Sequence, residues 1–151
     1  MKIHFGLAWS DAVLGRRDFN SELSYGLFAD YLKRISHFSP CTAGALKKNL
    51  SGTALWLCDT SRNAKALSSE ELSRFMGGLL NGGKKELCVA IGGPDGWDAA
   101  AIARLKPHLL WSLGPLTLPH ELAAVVAAEQ VYRAFTILRG LPYHRGHSGN
   151  F

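Results

Sequence analysis

Cysteine is scarce and scattered. Cys41, Cys58 and Cys88 form no CxxC pair, so the spacing of a zinc site is missing and free thiols are expected. Cys58 and Cys88 each lie in an apolar run, where a cysteine acts as a small buried hydrophobe. Long apolar runs are also missing: none approaches the roughly 18 residues that cross a bilayer. The opening Met1-Lys2-Ile3-His4-Phe5-Gly6-Leu7 is too short for a signal h-region and reaches Asp11 with no convincing cleavage site. A cytoplasmic protein without membrane association is expected. No GxGxxG pattern occurs, so a phosphate cradle of that kind is a poor fit. Acidic residues are absent from Gln130 to Phe151, the last 22 positions.

What is present points to a folded domain of ordinary size. Of 151 residues, 47% are apolar, enough for a core and against wholesale disorder. Lysine and arginine number 17 against 12 aspartates and glutamates, and the net charge of +5 suits an anionic partner such as RNA.

Lys2 to Leu7 reads as a short strand. Leu23, Leu27, Tyr31 and Ile35 recur at four-residue spacing and predict an amphipathic helix from Ser21 to His37, ended by Ser39-Pro40. Cys41 to Thr53 carries Lys47-Lys48 among small residues and suggests a turn of helix and a loop. Ala54 to Cys58 is a second strand, bounded by Asp59. Ser68-Ser69-Glu70-Glu71 is a capping box, opening a helix that closes near Asn81-Gly82-Gly83. Glu86 to Ile91 is a third strand, apolar after its first residue as buried parallel strands are. An Ala-rich helix follows from Asp98 to Lys106, then a strand from Leu109 to Leu113. Pro119 to Leu138 is the longest helix. The alternation predicts an α/β fold, a mainly parallel sheet with helices on both faces, in one domain spanning 1–151.

In such a sheet, ligands bind beyond the carboxyl ends of the strands. Three loops leave those ends: Asp59 to Asn63, Gly92 to Gly96, and Gly114 to His120. The second holds three glycines, which let a backbone approach a ligand closely. The third is apolar, and its free backbone groups suit the edge of a purine. In the acid-free tail, Arg133, Arg139, His144, Arg145 and His147 are interleaved with Tyr132, Phe135 and Tyr143. Basic groups pair with phosphates, and aromatics stack on unpaired bases.

Four blocks carry a resemblance: Ile91-Gly92-Gly93-Pro94-Asp95-Gly96; Trp111-Ser112-Leu113-Gly114-Pro115-Leu116-Thr117-Leu118-Pro119-His120; Tyr132-Arg133-Ala134; and Pro142-Tyr143-His144-Arg145. In order and spacing the chain resembles the RlmH (YbeA) family of SPOUT-superfamily large-subunit rRNA methyltransferases, strongly over Leu87 to Arg145 and more weakly before. The resemblance implies a trefoil knot within roughly 87–145, a homodimer, and S-adenosylmethionine as methyl donor with no metal. It implies methylation of N3 of a pseudouridine in 23S rRNA of the assembled ribosome. Carried over by position, the cofactor contacts are Cys58, where the family usually has Leu, then Gly92, Leu113, Gly114, Pro115, Leu116, Thr117 and Leu118. Gly92→Val is expected to fill ligand volume.

The chain departs from the family pattern in three places. Ser39 to Thr53 is short, so an early strand or helix is lost or compressed. The usual glycine-lysine pair after the first strand is replaced by Gly6-Leu7-Ala8-Trp9, and Gly146 to Phe151 runs past the usual end. A non-catalytic knotted RNA-binding relative is the alternative reading. A nucleotide-binding domain without a knot would need a phosphate loop, which is missing. For the dimer, Val125, Ala128, Tyr132 and Phe135 form an apolar stripe on the longest helix. Arg133, Arg139 and Arg145 are expected at RNA phosphates. The imide N3 must lose a proton, and His120, Tyr143 and His144 are the candidate acceptors. His144 and Arg145, with Tyr143, are the expected catalytic neighbourhood. His120, at a helix start that favours neutral imidazole, is expected as support.

Overall fold

The computed structural model describes residues 1–145; Gly146 to Phe151, with His147 of the basic tail, lie outside the described residues. Six parallel strands form one sheet: β1 (Lys2–Leu7), β2 (Cys41–Ala45), β3 (Thr53–Cys58), β4 (Lys65–Ala66), β5 (Glu86–Ile91) and β6 (Leu109–Ser112), in the spatial order β2-β1-β5-β3-β6-β4. Four α-helices pack on it: α1 (Glu22–Ile35), α2 (Ser69–Asn81) and α3 (Ala99–Leu105) lie between strands, and α4 (His120–Leu138) follows β6.

Alternation along the strands splits the core in two. Ile3, Phe5, Leu7, Trp56, Val89 and Ile91 face the thick layer built by α1, α2 and α4, where Phe28, Ile35, Leu72, Met76, Val131 and Phe135 close the core. Leu55, Leu57, Cys88 and Ala90 face the other way, where α3 brings Ile102 and Leu105. Every residue of β3 is buried, which is why it reads as an unbroken apolar run. The capping box is formed: Ser68 Oγ accepts the Glu71 N–H at 3.1 Å and Glu71 accepts the Ser68 N–H at 3.0 Å.

Three expectations need correction. Cys41 to Ala45 is a strand, β2, not a turn of helix. After it, no helix precedes β3; Leu46 and Leu50 of the short connection pack directly on the second face. Ser39 to Thr53 is thus a strand followed by a short strap. On α1, Leu23 is 86% exposed and Leu27 47%, while Phe28 and Ile35 are buried. Four-residue spacing drifts by about 40° per step, so Leu23 and Ile35 lie on different faces. On α4, Val125, Ala128 and Phe135 are buried within the chain's own core, so the stripe proposed for dimerisation is internal.

Candidate functional site

Because β5, β3 and β6 are neighbours, their carboxyl ends meet. Register puts Ile91 beside Cys58 and Cys58 beside Trp111, in one row across the sheet. The three following loops enclose a cleft of about 530 Å³, within the usual size of small-molecule sites. Its walls come from 58–60, 91–97, 113–114, 116–120 and Ala123. All the residues expected to hold a cofactor line it except Pro115, which is exposed.

The walls are built locally. Cys58 is buried, and burial pushes its thiol well above the ordinary range, so it lines the floor as an inert apolar group. Trp97, which the sequence did not mark, donates from Nε1 to the Cys58 carbonyl at 3.0 Å and ties the glycine loop to β3. A Cβ on Gly92 would stand 3.0 Å from Trp97 Nε1 and 3.2 Å from Gly96 Cα. A side chain at Gly92, which lines the cleft, would thus also press on Trp97. Gly114 takes φ +117°, a backbone that favours glycine, and the Ser112 hydroxyl bridges its N–H and C=O at 3.2 Å each. Beyond it, the N–H groups of Leu116, Thr117 and Leu118 have no partner among the described residues. The Asp59 Oδ2 is buried without one as well.

His120 lines the cleft at the start of α4. Its ring stands edge-on to Trp9, centroids 4.6 Å apart, and its Nε2 is 3.9 Å from Glu121 Oε2. Glu121 in turn accepts the Asn20 N–H at 2.9 Å, pinning the start of α1 to that of α4.

The C-terminal candidates gather elsewhere. Glu129 Oε1 accepts from Arg133 Nε at 2.9 Å and Nη2 at 2.6 Å, and from the Tyr143 hydroxyl at 3.0 Å. Arg133 lies over the Tyr143 ring and donates from Nη1 to His144 Nδ1 at 3.0 Å. Guanidinium cannot accept, so His144 Nδ1 is the acceptor and Nε2 carries the proton, donated to Glu70 Oε1 at 2.8 Å. That contact holds the Glu70 carboxyl below its usual range. Burial, with Tyr31 and Glu129, pushes the Tyr143 phenol up. Arg133 pairs with Glu129; Arg139 lies exposed over Phe38, and Arg145 is exposed. His120 and Arg133 are about 20 Å apart along α4, at roughly 1.5 Å per residue. One subunit does not bring its tail to its own cleft.

Among the described residues no group of three or more His, Cys, Asp or Glu converges as a metal site, and no helix is long and apolar enough to cross a membrane. A protein of Rhizobium meliloti (strain 1021) called Ribosomal RNA large subunit methyltransferase H is 49% identical over 104 residues, 68% of this chain and 62% of that one. Proteins of the same name match from Brucella ovis, 50% over 94 residues (62% and 53%), and Deinococcus radiodurans, 55% over 82 (54% and 55%). The chain thus spans 53–62% of these relatives' own lengths. The pattern of the family described as "Predicted SPOUT methyltransferase" matches residues 18–144, taking in every loop of the cleft and the tail cluster, and the chain belongs to that SPOUT methyltransferase family.

Proposed function

We propose that this chain transfers a methyl group from S-adenosylmethionine to N3 of a pseudouridine in 23S rRNA of the assembled ribosome, as a single-domain, cytoplasmic homodimeric enzyme. The observation that carries the reading is the cleft at the ends of β3, β5 and β6, built from the same loops that carry the family motifs.

The residues present fit the cofactor. The unpartnered N–H groups of Leu116, Thr117 and Leu118 suit the acceptor edge of adenine, and the apolar floor at Cys58 and Ile91 suits its ring. Asp59 supplies an unpartnered carboxylate oxygen for a polar or cationic part. No phosphate needs holding, consistent with Pro94 interrupting the glycine loop. When bound, the cofactor supplies a methyl group on a sulfonium, electrophilic enough to need no metal.

The chain's own residues then orient the base and manage its proton. His120 stands in the cleft wall of the same subunit as support, and His144 is the candidate acceptor. His144 and Arg145 come from the partner subunit's tail, since each tail is held about 20 Å from its own cleft. Tyr143 keeps its proton and acts as a donor, because its phenol is pushed up. Arg139 and Arg145 meet RNA phosphates; Arg133 braces the tail. Two subunits meet through the exposed faces of α1 and α4, which carry Leu23, Leu27 and Leu122. The stretch 87–145, including the crossovers that place β6 beyond β3, is threaded as the trefoil knot.

Labelled methyl transfer to ribosomes from a strain lacking this protein tests the reading. Label is expected at one pseudouridine of the large-subunit rRNA, with His144→Ala slowing single turnover more than His120→Ala. A folded protein that transfers no label to those ribosomes would instead be the non-catalytic RNA-binding relative.

A further inference from the structure

The cleft is electrostatically one-sided. Its described lining holds two carboxylates, Asp59 and Asp95, and no Lys or Arg. His120 lies near Glu121, 3.9 Å from its Oε2, and Glu121 is occupied by the Asn20 and Ser21 N–H groups. Asp59 is fixed at the end of β3, where its N–H donates to the Trp111 carbonyl at 3.0 Å. Its Oδ2 is buried, with no hydrogen-bond partner among the described residues. A buried carboxylate oxygen left in that state calls for a donor or a cation.

We propose that Asp59 reads the positive charge at the cofactor's sulfur and so separates methyl donor from demethylated product; this rests on the cleft being the S-adenosylmethionine site. Donor and product share adenine, ribose, ammonium and carboxylate. They differ in the methyl group and in one unit of charge at sulfur. On transfer the S–CH3 bond breaks and an N3–CH3 bond forms. The electron pair stays on sulfur, and the N3 proton passes to the accepting base. The charge that Asp59 holds is then gone, and the product is bound less tightly than the donor. An apolar wall could tell the two apart only by a methyl group, a weak basis for discrimination. A carboxylate in a partly desolvated cleft discriminates by charge.

Calorimetric titration of the wild type, Asp59→Asn and Asp59→Ser separates the possibilities, with S-adenosylmethionine, S-adenosylhomocysteine and sinefungin as ligands. Sinefungin places an ammonium where the methylsulfonium stands. Both substitutions are expected to weaken S-adenosylmethionine and sinefungin by about tenfold more than S-adenosylhomocysteine, a difference of one charge interaction. Asp59→Glu is expected to restore much of the preference. Equal weakening of all three ligands would mean that Asp59 meets a part they share, and no weakening of any would mean that it meets none; either result overturns the proposal. A wild-type protein that binds none of the three overturns the cofactor reading itself.

Discussion

His4 is a buried histidine whose hydrogen bonds fix its protonation. The Ala45 carbonyl at 3.0 Å can only accept, so Nε2 carries the proton and Nδ1 accepts from the Thr42 hydroxyl at 2.8 Å. Burial lowers its pKa below the ordinary 6.5, against the raising effect of the Ala45 carbonyl. Between 6.5 and that lower folded value the unfolded chain takes up a proton that the folded chain refuses. The stabilisation is therefore complete above 6.5 and lost as pH falls through that window. Urea unfolding should show wild type losing stability relative to His4→Gln as pH drops below 6.5, and parallel pH profiles would contradict this. Gly92 offers a second test at this scale. Gly92→Val should displace Trp97, at about 1–3 kcal/mol for overpacking, and weaken cofactor binding. In a Trp97→Ala background the added penalty should largely vanish. An undiminished penalty there would restore the simpler view that the side chain meets the ligand. The glycine loop was legible in the sequence as a strand-end loop. Trp97 and the orphaned Asp59 oxygen were not, because their roles depend on which strands are neighbours.

At the scale of elements, patterns that are local were readable. The capping box of α2, the apolar runs of β3 and β5, and the closing of α3 before Pro107 each depend on residues adjacent in sequence. The strand β2, Cys41-Thr42-Ala43-Gly44-Ala45, has no aromatic or branched aliphatic residue to announce it. It is a strand because it pairs with β1 along its whole length. Its outer edge is covered by Leu14 donating to the Ala43 carbonyl and Ala45 donating to that of Ala12. The strap after β2 is held close to the sheet at Gly6, where a Cβ would stand 2.8 Å from Leu46 Cδ1 and 3.2 Å from Leu46 Cα. Lys47 anchors it to Glu86 at 2.5 Å. Gly6→Ala should cost about 1–3 kcal/mol in chemical unfolding, less when Leu46→Ala is added. A Gly6→Ala protein as stable as wild type would show that the strap yields freely.

For the whole molecule, the sheet order decides what the site can be. The order β1-β5-β3-β6 brings together loops that are far apart in sequence, while the same topology leaves the tail on α2 and α4, away from its own cleft. The sequence placed both groups of residues but not the distance between them, since that distance is a property of how α4 crosses the sheet. A site that needs both must draw them from two subunits. Methyl transfer by mixed dimers tests this directly. Thr117→Trp fills the cleft of one chain, and His144→Ala disables the tail of the other; each variant alone should be strongly slowed on ribosomes. Coexpressed, half of the dimers are mixed. Each mixed dimer holds one site with an intact cleft and an intact partner tail, so activity should return to about a quarter of wild type. No return of activity, from mixtures shown to contain mixed dimers, would contradict the shared site and place the whole reaction within one subunit.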